Sequence, residues 1–188
     1  MGTRHMRFQS GTSLVEVLVT MVILSIGLLA LVVLHGRLHL LQMESYQRSQ
    51  ALILLNDMAS RISLNRNAVG LYVAGGGELG VGAACPAAGP TRQEADLNEW
   101  CDALQGAAET SGGGAAVGAM IGGRGCIEDI GGGEFLVTVA WQGQAPIAAP
   151  PASVACGLGD YDSPTGTPCD NDLCRRVVTT VVRIATLT

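Results

Sequence analysis

The chain has no histidine after His39, so any Ser–His or Cys–His nucleophile pair built from its later residues would lack a base. Positive charge is also scarce: Lys+Arg is 11 against 16 Asp+Glu, a formal net charge of −5. Nucleic-acid binding, which asks for a basic patch or stripe, gains no support from that balance. None of the six cysteines forms a C-x-x-C pair or alternates with histidine, as structural zinc sites require. Gly122-Gly123 is not followed by Gly-Lys-Ser/Thr, which excludes a phosphate loop. No strand leads into a glycine turn and helix, as a dinucleotide fold demands. No motif calls for a cofactor. Large side chains are few, with two Trp, three Tyr and two Phe in 188 residues.

What the sequence does have is one long apolar run. Residues 14–34 read LVEVLVTMVILSIGLLALVVL, and Glu16 is their only ionisable side chain. A helix of about 20 such residues matches the hydrocarbon thickness of a bilayer, so a spanning segment is expected. A cleaved signal peptide fits worse, because its apolar core is about 7–15 residues long and ends in an A-x-A-like site. Here Ala30 is followed by Leu31-Val32-Val33-Leu34. Arg4 and Arg7 precede the run and hold that end in the cytoplasm, leaving the remainder outside. A carboxylate within a membrane helix costs about 2.5–3.5 kcal/mol on insertion scales, which makes Glu16 a functional candidate. The competing reading is a side chain that snorkels to the headgroups.

From residue 37 to 66 there is no proline, and Leu38, Leu41, Leu52, Leu55, Ala59 and Ile62 recur at helical spacing among polar residues. This predicts an amphipathic continuation of the same helix, with one face to bury. The composition then changes. All but four of the 26 glycines (Gly2, Gly11, Gly27 and Gly36) lie at or after Gly70. Tracts such as Gly75-Gly76-Gly77, Gly112-Gly113-Gly114 and Gly131-Gly132-Gly133 predict loops and turns. Residues 94–104 predict a short helix, and 135–141 and 175–187 predict strands rich in β-branched side chains. Two strands are marginal alone, so a further one or two are expected from residues 121–130 or nearby.

All six cysteines (Cys85, Cys101, Cys126, Cys156, Cys169 and Cys174) follow the span, on the oxidising side, which predicts disulfides. Fifteen pairings are possible, and Cys169 with Cys174 is the evident local pair. Staples of about 2–4 kcal/mol each suit a domain with so little aromatic surface. Asp160, Asp162, Asp170 and Asp172, with Asn171, make an oxygen-rich loop that is a candidate for calcium. Their spacing departs from an EF-hand loop, and solvated turn aspartates are the competing reading.

The segment Arg7-Phe8-Gln9-Ser10-Gly11-Thr12-Ser13, the apolar helix and Glu16 at the fifth position after Gly11 together resemble type IV prepilins. The resemblance implies a prepilin leader at 1–11, a cut between Gly11 and Thr12 by a prepilin peptidase, N-methylation of Thr12, and Glu16 as the assembly glutamate. It implies an α+β pilin fold: a membrane or filament-core half-helix at 12–36, an amphipathic half at 37–67, and a glycine-rich globular domain at 68–188. Thr12 departs from the phenylalanine most common in major pilins, which argues against a major subunit. Residues 56–67, the Val-Thr-Val-Ala-Trp-Gln-Gly strand and the Arg-Arg-Val-Val-Thr-Thr-Val-Val-Arg-Ile strand are similar to PilV-type minor pilins. That subtype implies a non-enzymatic, inner-membrane subunit that joins other minor pilins, primes assembly and sits at the pilus tip. Two alternatives remain at this level: a minor pseudopilin of type II secretion and a tip adhesin or ligand-binding subunit.

Overall fold

The computed structural model of the chain describes residues 13–75, 77–107, 111–113, 118 and 120–185. It divides into two compact units, Met1–Gln42 and Met43–Thr188. Helix α1 (Leu14–Leu64, 51 residues) takes in the apolar run and the amphipathic segment without interruption. A Cβ at Gly27 or Gly36 would meet nothing within 4 Å, so neither glycine serves a close approach within the chain.

In the first unit every described side chain, 13–42, is exposed, although most are apolar. A helix apolar all round needs a membrane or other chains to cover it. Its hydroxyls are satisfied internally, Thr20 Oγ1 donating to the Val17 carbonyl at 2.8 Å and Ser25 Oγ to that of Met21 at 2.7 Å.

In the second unit α1 buries one face: Gln47, Ala51, Leu55, Met58 and Ile62. The predicted stripe is therefore shifted. Leu55 and Ile62 lie in the core and Ala59 packs against its edge, but Leu38, Leu41 and Leu52 are exposed. Each residue turns the helix by about 100°, so a sheet centred on Ala51 and Met58 leaves Leu52 at the flank.

After a 3-10 turn at Arg66–Ala68 come α2 (Val69–Gly75), the two-residue β1 (Leu79–Gly80) and α3 (Arg92–Leu104). Then follow β2 (Arg124–Gly131), β3 (Glu134–Gln142) and β4 (Arg175–Arg183). The sheet is antiparallel in the order β1-β2-β3-β4. The predicted pairing of the two valine-rich strands is present as β3 with β4, and β2 supplies the strand expected near 121–130. The β2–β3 turn uses Gly131, Gly132 and Gly133, all with positive φ (88°, 65° and 76°), where an L side chain would be strained. Thr91 caps α3: its Oγ1 accepts from the Glu94 backbone N–H, and the Glu94 carboxylate accepts from the Thr91 N–H.

Phe135, Val137, Val139 and Trp141 of β3 point into one core with the α1 face, Leu97, Trp100 and Leu104. Trp100 is fully buried, and its Nε1 donates to the Leu54 carbonyl of α1 at 2.9 Å. It lies so close to β2 that a Cβ at Gly125 would stand 2.2 Å from its ring. On the opposite face of the sheet, Cys126, Ala140, Cys156 and Tyr161 make a second cluster under the long β3–β4 connection. Three disulfides staple the unit. Cys85–Cys101 ties the approach to α3 onto that helix, Cys126–Cys156 ties the connection to β2, and Cys169–Cys174 closes the turn before β4.

Candidate functional site

The candidate site begins at the start of α1. Gly11 and Thr12, the residues on which cleavage and methylation are expected, lie outside the described residues. Ser13 is the first described residue, and its carbonyl accepts from the Glu16 N–H at 2.9 Å and the Val17 N–H at 3.3 Å. Glu16 therefore sits in the first helical turn, exposed, where unpaired backbone N–H groups favour a carboxylate. It stands four residues after the expected new terminus, with Ser13 and Thr20 at helical spacing from it and the apolar run following.

In the globular unit the charged groups are arranged as anchors. Asp96 of α3 is buried and accepts from Tyr72 Oη at 2.6 Å and from Arg61 Nη1 at 2.9 Å. Arg92 Nε stands 3.1 Å from the same carboxylate, and Arg61 also reaches Asp57 at 2.9 Å and Glu99 at 2.6 Å. Burial acts against the Arg61 charge, but the three carboxylates outweigh it and hold the guanidinium protonated more firmly than usual. Burial, reinforced by the bond to Asp96, pushes the Tyr72 hydroxyl up to about 12. Both Asp96 oxygens are occupied, so this group joins α1, α2 and α3 and does not stand ready as a base. Arg176 of β4 does the same at the other end of the unit. It donates to Glu44 at 2.6 Å, to the Ala145 carbonyl at 2.5 Å and to the Leu173 carbonyl at 3.2 Å.

The aspartates of the calcium candidate already have hydrogen-bond or ion-pair partners. The Asp162 carboxylate accepts from the Asp172 backbone N–H at 2.6 Å, and that of Asp172 accepts from the Gly159 N–H at 2.9 Å. Asp170 caps the Asn171 N–H at 3.0 Å, and Asp160 lies 3.6 Å from Arg124. Each oxygen set faces a different donor, and among the described residues no three acidic, histidine or cysteine side chains converge as metal ligands. Asn171 and Asp172 adopt positive φ (57° and 60°), as turn-forming Asn and Asp tolerate. Tyr161, whose hydroxyl is raised above its ordinary range by burial, donates to the Gly122 carbonyl at 2.7 Å, and Arg124 pairs with Glu78 beside it. These long-range anchors had no signal in the sequence. The Thr91-x-x-Glu94 cap and the i,i+4 pairs Asp57–Arg61 and Arg92–Asp96 are local patterns that could have been read in advance.

Residues 6–32 match the family described as the prokaryotic N-terminal methylation motif. No curated protein and no solved structure matches the chain. The motif coincides with the one helix of the described residues long and apolar enough to cross a membrane. Motif, helix and the stapled α+β architecture together support a type IV prepilin-like protein, either pilin-like or pseudopilin, anchored in a membrane. Proteins of this kind are generally structural. The motif implies processing by a prepilin peptidase and assembly with other pilin-like subunits.

Proposed function

We propose that the chain is a minor pilin of a type IV pilus. The leader 1–11 is removed between Gly11 and Thr12, the Thr12 amine is methylated, and residues 12–36 hold the protein in the inner membrane with 68–188 in the periplasm. The subunit then enters the filament, helps to prime assembly and stays at the tip with other minor pilins. The observation that carries this reading is the methylation motif at 6–32, continuous with a 51-residue helix that has Glu16 in its first turn. Thr12, in place of the phenylalanine of major subunits, and the terminal strand similar to PilV-type pilins support the minor role.

Intact mass of the membrane-extracted protein tests the processing step: the expected species starts at Thr12 and carries one added methyl group. A retained leader, or a cut near Ala30, contradicts it. The minor role is tested by deleting the gene and counting pili, and by immunoblotting sheared filaments. Fewer pili, with the protein present in filaments far below the major subunit, is the expected outcome. Normal piliation with loss of exoprotein secretion assigns the chain to a type II secretion pseudopilus instead.

A further inference from the structure

Of the side chains outside the segment already described, His35 and His39 show a geometry that calls for a third atom. They stand one turn apart on α1, both exposed, directly after the apolar run. Their Nε2 atoms are 3.0 Å apart, with ring centroids 4.4 Å apart and the rings nearly perpendicular at 80°. In the metal-free chain one ring donates its N–H to the other, the direction being set by the tautomers, and a cation can take the place of that proton. Histidines at i and i+4 on one helical face are the spacing at which a helix chelates a metal ion.

The bite distance selects the kind of ion. With metal–nitrogen bonds of about 2.0–2.1 Å, two cis ligands at 90° lie about 2.9 Å apart, and two at the tetrahedral angle about 3.4 Å apart. The observed 3.0 Å is close to the right-angled value. Square-planar and tetragonal coordination by nitrogen is the preference of Cu(II) and Ni(II), and Cu(II) heads the affinity order of the divalent first-row ions. We infer that His35 and His39 form a two-imidazole chelate for a tetragonal divalent transition-metal ion, of which Cu(II) is the strongest binder. His35 and His39 follow the last residue of the apolar run, Leu34, where the helix leaves the expected hydrocarbon layer, so water can fill the other positions of the ion. The inference does not depend on the pilus assignment, since it uses only this helix.

The test is a Cu(II) titration of the full-length chain in detergent micelles, followed by electron paramagnetic resonance and by calorimetry. The expected result is one bound ion with a tetragonal spectrum showing coupling to imidazole nitrogens. His35→Ala and His39→Ala, each at an exposed position, should weaken binding at least tenfold and remove the two-nitrogen pattern. Circular dichroism of each variant confirms that the helix is retained. His5→Ala, which alters the remaining histidine, should leave binding unchanged. Absence of binding, or a titration that is the same in His39→Ala, or one that is lost only with His5→Ala, overturns the chelate and leaves a proton as the atom shared by the two rings.

Discussion

At the scale of single residues, the domain depends on a few places where one atom too many would be felt. Gly125 is the clearest. Its backbone is ordinary for a strand, so its requirement comes from the Trp100 ring, which a Cβ would meet at 2.2 Å. Trp100 cannot withdraw without breaking its bond to the Leu54 carbonyl. Gly125→Ala should therefore destabilise the unit by about 1–3 kcal/mol, as overpacking of a tight core does. Thermal unfolding of the disulfide-intact protein is the measurement, and an unchanged midpoint would show that α3 can slide. Tyr72 offers a second case, in which pH supplies the readout. Its hydroxyl is raised to about 12 in the folded chain, above an ordinary value of about 10. A raised folded pKa gives stability that is complete below the unfolded value and is lost as pH climbs through the folded one. The domain should thus weaken between pH of about 10 and 12, with Tyr161, also raised by burial, adding to the loss. Tyr72→Phe should lower stability near neutrality by about 1.5–3 kcal/mol, the worth of a hydrogen bond to a charged group, and flatten the alkaline decline. Melting curves taken at pH 8 and at pH 11 decide it, and a decline as steep in the variant as in the parent would place the sensitivity elsewhere.

At the scale of elements, the disulfides supplement a core whose aromatic side chains are few, chiefly Tyr72, Trp100, Phe135 and Trp141. Cys126–Cys156 holds the β3–β4 connection against the outer face of the sheet, where only Ala140, Tyr161 and a half-buried Val177 pack with it. Replacing both cysteines with serine should cost about 2–4 kcal/mol and release residues near Tyr161 first. Hydrogen exchange should then show the Gly157–Asp172 region opening while β2 and β3 remain protected; uniform loss of protection would mean that the staple serves the whole unit. These elements were unequally legible in the sequence. The long helix and both β-branched strands could be read, because apolar periodicity over many residues is a local signal. The even cysteine count on the oxidising side indicated staples, and Cys169–Cys174 was visible as a near neighbour, but the other two pairs join residues 16 and 30 apart across unrelated elements. Contacts of that kind have no trace in spacing. The helix face was misplaced by roughly one position because Leu52 looks as apolar as Ala51, and only the sheet decides which of them is covered. For a similar reason composition shows the oxygens of the aspartates in the β3–β4 connection, but not the backbone N–H groups from which Asp162 and Asp172 accept.

At the scale of the whole molecule, a compact unit with its own core continues from a helix whose apolar side chains are exposed among the described residues. That division locates the assembly question at Glu16. A carboxylate at membrane depth costs about 2.5–3.5 kcal/mol on insertion scales, so it persists only where something compensates it. On the proposed processing, the compensating charge within the monomer would be the amine that cleavage creates at Thr12, four residues before Glu16, together with the N–H groups of the first turn. Methylation leaves that amine positively charged, so the pairing survives it. In a filament, where apolar helices cover one another, the amine of a neighbouring subunit can take over as partner. Removing one member of such a buried pair leaves the other uncompensated, at a cost of about 3–5 kcal/mol. Glu16→Ala should then insert in the membrane at least as well as the parent, because the expensive group is gone. It should still be cut after Gly11 and still form its three disulfides, whose six cysteines all lie in the second unit. It should be missing from sheared filaments while it accumulates in the membrane fraction. Blotting both fractions from cells that carry each variant, on reducing and non-reducing gels, reads insertion, cleavage, disulfide formation and filament entry. Wild-type levels of the alanine variant in filaments would mean that Glu16 snorkels to the headgroups and that subunits dock through apolar packing alone.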